Sequence, residues 1–150
     1  MKNNVIIRLE NTLFTTKHIS RHLPLAKDRS AYLESALPKC RLNPGFGEFL
    51  RFLKACGKSP RVSVITEFRG DPVHKLLAAN GMHGVNVVST SDRAFANAAP
   101  KDTVVFSSCP ADIMAATERG IPATTDFSDS ESIFKAFGVR KIQAKDSLAA

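Results

Sequence analysis

Val5-Ile6-Ile7-Arg8-Leu9-Glu10-Asn11-Thr12-Leu13-Phe14 is the stretch on which the reading of this chain turns. A short β-branched run broken by charged and polar residues is the pattern of a buried strand whose C-terminal end opens onto a site. In open α/β sheets, ligands gather outside such carboxyl ends. Side chains at i and i+2 of a strand share a face, so Arg8 and Glu10 are expected side by side.

The rest of the chain supplies the sheet for that strand. Asn43-Pro44-Gly45 starts a helix on which Phe46, Phe49, Leu50, Leu53 and Cys56 recur at helical spacing until Gly57. Val62-Ser63-Val64-Ile65-Thr66 reads as a second strand, and Asp71-Pro72 as the cap of a helix that ends at Asn80-Gly81. Val85 to Val88 gives a third strand, followed by Thr90-Ser91-Asp92-Arg93 and a short Ala-rich helix to about Ala99. Thr103-Val104-Val105-Phe106 is the fourth strand, Pro110 opens a helix that Gly120 ends, and Ile121 to Thr124 is the fifth strand. A last helix spans Ser130 to Phe137, closed by Gly138. Between the first strand and Asn43, the only helical patch predicted is Asp28 to Leu37. Five strands alternating with helices predict a three-layer α/β/α sandwich around a mainly parallel, Rossmann-like five-stranded sheet. Periodicity alone allows a flavodoxin-like or receiver-like sheet equally well.

A length of 150 residues suits one domain, expected over 1–138, with a polar Ala-rich tail at 139–150. No apolar run approaches the roughly 20 residues of a spanning helix. Met1-Lys2-Asn3-Asn4 leads straight into the first strand, which predicts a cytoplasmic protein without a signal peptide, and no membrane association. Cys40, Cys56 and Cys109 are odd in number and lack CxxC spacing, and His18, His22, His74 and His83 form no ligand pattern with them. No metal site is expected. Cys109 before a helix start lacks the Arg of a CxxxxxR phosphatase loop. The formal charge of +7 is concentrated: ten basic and three acidic residues lie between Lys17 and Arg61, so the remaining chain sums to zero. Such a segment favours acidic protein partners or polyanions. With Tyr32 the sole Tyr and no Trp, no aromatic ladder interleaves the charges, which weakens the nucleic-acid reading of segment 17–61.

The opening stretch resembles the first motif of the haloacid dehalogenase (HAD) superfamily, an apolar strand followed by DxDGTLF. The frame here is Arg8-Leu9-Glu10-Asn11-Thr12-Leu13-Phe14. The resemblance runs over roughly residues 5 to 138. It implies that Arg8 stands at the nucleophile position and Glu10 at the general acid/base position. Thr66 matches the hydroxyl that ends the second motif. Ser107-Ser108-Cys109-Pro110-Ala111-Asp112-Ile113 resembles the fourth motif, GDSxxDI, in which only Asp112 keeps its acid. Arg93, or Lys101, stands for the third-motif cation. The family inserts a cap between the first strand and the helix after Asn43; about 30 residues are too few for a full cap domain, which implies an open face suited to a macromolecular partner.

These substitutions point away from catalysis. A guanidinium stays protonated and has no lone pair to attack with. Magnesium is held through carboxylates, and a cation at Arg8 would repel it. Arg8, Glu10, Thr66, Arg93, Ser108 and Asp112 are therefore expected to be degenerate motif positions with no confident catalytic residue among them. Arg8 is expected to bridge Glu10 or Asp112 in place of a metal. Arg8, Thr66, Ser107, Ser108 and Arg93 are candidates for an anion pocket. The resulting expectation is a pseudoenzyme that needs no cofactor and works as a protein-binding adaptor or regulatory module. The alternatives are a magnesium-dependent phosphatase using a displaced acid such as Glu10, or nucleic-acid binding through the basic segment.

Overall fold

The computed structural model describes residues 1–57 and 60–139. The expected tail from Arg140 onward lies outside the described residues. Five strands, β1 (Asn4–Arg8), β2 (Arg61–Ile65), β3 (Asn86–Val88), β4 (Thr103–Phe106) and β5 (Ala123–Thr124), form one sheet in the order β3-β2-β1-β4-β5. Every pairing between them is parallel. The central strand aligns Arg8 with Ile65 of β2 and Ile7 with Phe106 of β4.

Being covered on both faces makes β1 apolar on both, and its period of two decides which layer each side chain meets. Val5, Ile7 and Leu9 point into the larger core with Val64, Val104 and Phe106. That layer is closed by α2 (Arg29–Ala36), α3 (Gly47–Cys56), α4 (Asp71–Ala79) and α7 (Ser130–Phe137). Ile6 points the other way, with Ile65 and Val105, against Phe95 of α5 (Ser91–Phe95) and Ala116 of α6 (Pro110–Glu118). Arg8 falls on the Ile6 side, toward α6. This alternation brings the basic residue under the first turn of α6.

Aromatic rings fill the larger core. Phe46 meets Phe106 edge-on at 5.6 Å between centroids, and Phe49 meets Phe137 at 5.2 Å; such tilted pairs are favoured by the ring quadrupole. Gly45 makes this packing possible, because a Cβ there would lie 2.5 Å from the carbonyl oxygen of Phe127. Asn43 caps the turn before α3 by accepting from the Gly45 N–H at 3.2 Å.

Several expected boundaries shift. The cap of α4 is Gly70, not Asp71: at φ +91° Gly70 turns the chain, and Asp71 sits in the first helical turn with Pro72. The helix expected to reach Ala99 ends at Phe95. Strands β3 and β5 are shorter than expected, beginning at Asn86 and Ala123. Between β1 and α3 there are two short helices, α1 (Lys17–His22) and α2, with one 3₁₀ turn (Leu23–Leu25) between them and another (Leu37–Lys39) after α2. Helix α1 was not expected, since Ile19 is its single buried residue and no apolar stripe marks it. No helix among the described residues is long and apolar enough to cross a membrane.

Candidate functional site

The strand order reverses at β1, with β2 on one side and β4 on the other. Open parallel sheets carry their sites at the carboxyl ends beside such a switch point. Arg8 ends β1 there, and Ser107 and Ser108 follow β4. Asp112 arrives from the first turn of α6, whose N-cap is Cys109.

Arg8 and Asp112 form a two-pronged ion pair, Nε to Oδ2 and Nη2 to Oδ1, each 2.7 Å. Arg8 is 7% exposed and Asp112 is fully enclosed. The expected bridge therefore forms, and it reaches both acids, since Nη1 also lies 3.4 Å from Glu10 Oε2. Ser107 Oγ donates to Asp112 Oδ2 at 2.7 Å and accepts from the Cys109 N–H at 3.0 Å. Both carboxylate oxygens of Asp112 are thus filled by donors. Burial by itself would lower the guanidinium's pKa. The hydrogen bonds and charge of Asp112, with the charge of Glu10, outweigh it and hold Arg8 protonated above its ordinary value.

A second set of contacts ties the β1 loop to the β4 loop. Thr12 Oγ1 accepts from the Ser108 N–H at 3.0 Å and pairs with Ser108 Oγ at 3.2 Å. Ser108 Oγ donates to the carbonyl of Asn11 at 3.1 Å, so Thr12 is the donor within the hydroxyl pair. Asn11 turns the loop at φ +53°, a conformation that Asn tolerates, and its Oδ1 accepts from the Thr16 N–H at 3.2 Å. Thr12 and Thr16 were missed in the sequence; the signal was a Thr inside the first motif, read as frame rather than as a contact.

The remaining candidates are placed as follows. Thr66 is buried just beyond β2, with Oγ1 accepting from the Phe68 N–H at 3.1 Å. Glu10 Oε2 accepts from the Glu67 N–H at 2.9 Å, whereas Glu10 Oε1 is buried without a hydrogen-bond partner among the described residues. Arg93 is exposed on α5, where its backbone N–H is capped by Thr90, and its side chain joins none of these groups. Lys101 lies before β4, at the amino end of the sheet, where its carbonyl accepts from Lys2 Nζ at 2.7 Å. The fold thus places Lys101 at the wrong end to serve the site. Ser107, Ser108, Arg8 and Thr66 do converge at the strand ends, but Ser107 and Ser108 give their hydroxyl hydrogens to the protein itself.

Magnesium does not fit these donors. It needs several carboxylate or water oxygens in near-octahedral array. Among the three positions corresponding to the family's acids, Arg8, Ser108 and Asp112, only Asp112 is an acid, and both its oxygens are taken up by Arg8 and Ser107. No group of three His, Cys, Asp or Glu side chains among the described residues is arranged for a metal. The three cysteines are free thiols, and burial pushes Cys40 and Cys56 up.

Among solved structures, the chain is similar to a HAD-superfamily hydrolase from Ehrlichia chaffeensis. The match has a TM-score of 0.59 at 16% identity and covers 91% of this chain and 97% of that one. The molecule has the HAD-like, Rossmann-like α/β fold. No family model matches the sequence, and no curated protein does.

Proposed function

We propose that this chain is a catalytically silent HAD-like domain that works by binding a protein partner, as an adaptor or regulatory module of the cytoplasm. One observation carries the reading. Arg8, at the nucleophile position of the motif, is locked by two 2.7 Å hydrogen bonds onto Asp112, at the position of the remaining metal-binding acid. A guanidinium neither attacks phosphorus nor shares a carboxylate with magnesium. Loss of a nucleophile removes on the order of a million-fold in turnover in enzymes where it has been measured.

The displaced-acid reading finds little support at Glu10. One of its oxygens is engaged by Glu67 and Arg8, and the other is sealed from solvent. For the partner, the face formed by α1, α2 and their connections is the first candidate. It carries Lys17, Arg21, Lys27 and Arg29 in exposed positions, and Leu25 is 80% exposed among them.

The test compares the native chain with Arg8→Asp/Ser108→Asp in a magnesium-dependent phosphatase assay on p-nitrophenyl phosphate. The native chain is expected to give no turnover above buffer, and the double variant to gain a magnesium-dependent rate. Brisk native turnover sinks the proposal. A pull-down from native extract, repeated with the basic residues between Lys17 and Arg41 neutralised, tests the partner. Recovery of one protein with the native chain alone is expected.

A further inference from the structure

The amino ends of β2 and β3, opposite the site described above, border a cavity of about 530 Å³. Its inner wall is apolar: Leu50 and Leu53 from α3, Val62 from β2, and Met82 from the turn after α4. Leu50, Leu53 and Met82 are buried parts of the main core, so the wall is fixed rather than a loose flap. Two cations and a histidine stand on the rim. Lys54 on α3, Arg61 at the start of β2 and His83 in the turn after α4 all line the space and are exposed.

No Asp or Glu lines this cavity among the described residues, and none of the three basic side chains there takes part in an ion pair or side-chain hydrogen bond. Gly81 and Gly84 lie at the mouth. Both have positive φ, and a Cβ at either would meet nothing within 4 Å.

We infer that this cavity binds a small amphipathic anion, an apolar body carrying a carboxylate, sulfonate or phosphate. The volume lies within the range of about 300 to 1,000 Å³ that suits a drug-sized ligand. A bare inorganic ion would leave the apolar wall unused, and a neutral apolar molecule would leave Lys54 and Arg61 without a counter-charge. An anion with an apolar body satisfies both parts at once. The inference is independent of the proposed catalytic silence, since it concerns the other end of the sheet and direct binding.

The test titrates the native chain with 8-anilinonaphthalene-1-sulfonate, with its uncharged relative N-phenyl-1-naphthylamine, and with sodium sulfate. Fluorescence follows the two naphthyl probes; amide NMR shifts follow all three. Saturable one-to-one sulfonate binding is expected, with shifts centred on Leu53, Val62 and Met82. Lys54→Gln/Arg61→Gln should raise the Kd about tenfold or more, because two charge-assisted contacts are lost. Lys135→Gln, on α7, should leave it unchanged. Equal affinity for the uncharged probe, equal affinity for sulfate alone, an unchanged Kd in the double variant, or shifts centred elsewhere would each overturn the assignment.

Discussion

The two ends of one sheet treat charge in opposite ways. At the carboxyl end, Arg8 is surrounded by Asp112, Glu10 and Ser107, and its charge is spent inside the protein. At the amino end, Lys54 and Arg61 stand on the rim of a cavity that no acid lines among the described residues. In this sheet the charges at the end that ordinarily holds a ligand are paired within the protein, and those on the rim of the cavity at the other end are not paired among the described residues. The contrast separates architecture from chemistry: the place of a site follows from topology, but its use follows from which charges remain unpaired.

The sharpest way to break the contrast is to unpair the closed end. Asp112→Ala leaves a guanidinium that is 7% exposed without its main counter-charge, and should cost about 3–5 kcal/mol in urea unfolding. Replacing both partners, Arg8→Met with Asp112→Leu, should cost less than Asp112→Ala, because the buried guanidinium leaves together with its main counter-charge and Glu10 keeps the Glu67 N–H. If the double replacement is as damaging as Asp112→Ala, the pair is not what holds this end together.

Loosening the seal without touching the ion pair has a smaller effect. Thr12→Val removes the acceptor for the Ser108 N–H and the hydroxyl pair, and should cost about 1–3 kcal/mol, because it leaves a partly buried N–H unmet. The open end should hardly respond. Lys54→Gln is expected to change stability by less than about 0.5 kcal/mol, since the side chain is exposed and unpaired.

The pH response sharpens the same difference. The folded-state pKa of Arg8 is raised, so its stabilisation is complete below the ordinary guanidinium value and is lost only as pH climbs from there through the folded-state value. Between pH 7 and pH 10 the stability difference between native and Arg8→Met should stay flat. A slope in that window would report a neighbouring group perturbed by the substitution, since an arginine keeps its proton throughout it.

Much of this was legible in the sequence where periodicity and punctuation agree. Thr103–Phe106 and Ser130–Phe137 fall where expected, the first a run of four buried residues and the second bounded by Asp129 and Gly138. Reading failed where one signal stood alone. Helix α1 has a single inward apolar residue, and α5 ends at Phe95, short of the Ala99 to which the alanine-rich composition alone pointed. For the site, residue spacing along β1 and the arrival of α6 were enough to foresee Arg8 beside Asp112. The Thr12–Ser108 clasp was not foreseeable. It depends on how two loops 96 residues apart in sequence meet, which no local pattern encodes.

The central position of β1 also sets an order on assembly. One neighbour, β2, begins at Arg61, but the other, β4, begins only at Thr103, and the anchor for Arg8 is 104 residues downstream. During synthesis the strand therefore waits, with one backbone edge bare until β4 emerges and one cation unanswered until Asp112 does. Contacts so distant along the chain slow folding and lengthen exposure to aggregation. Fragments stopping before residue 103 should consequently depend on chaperones in a way that the full chain does not.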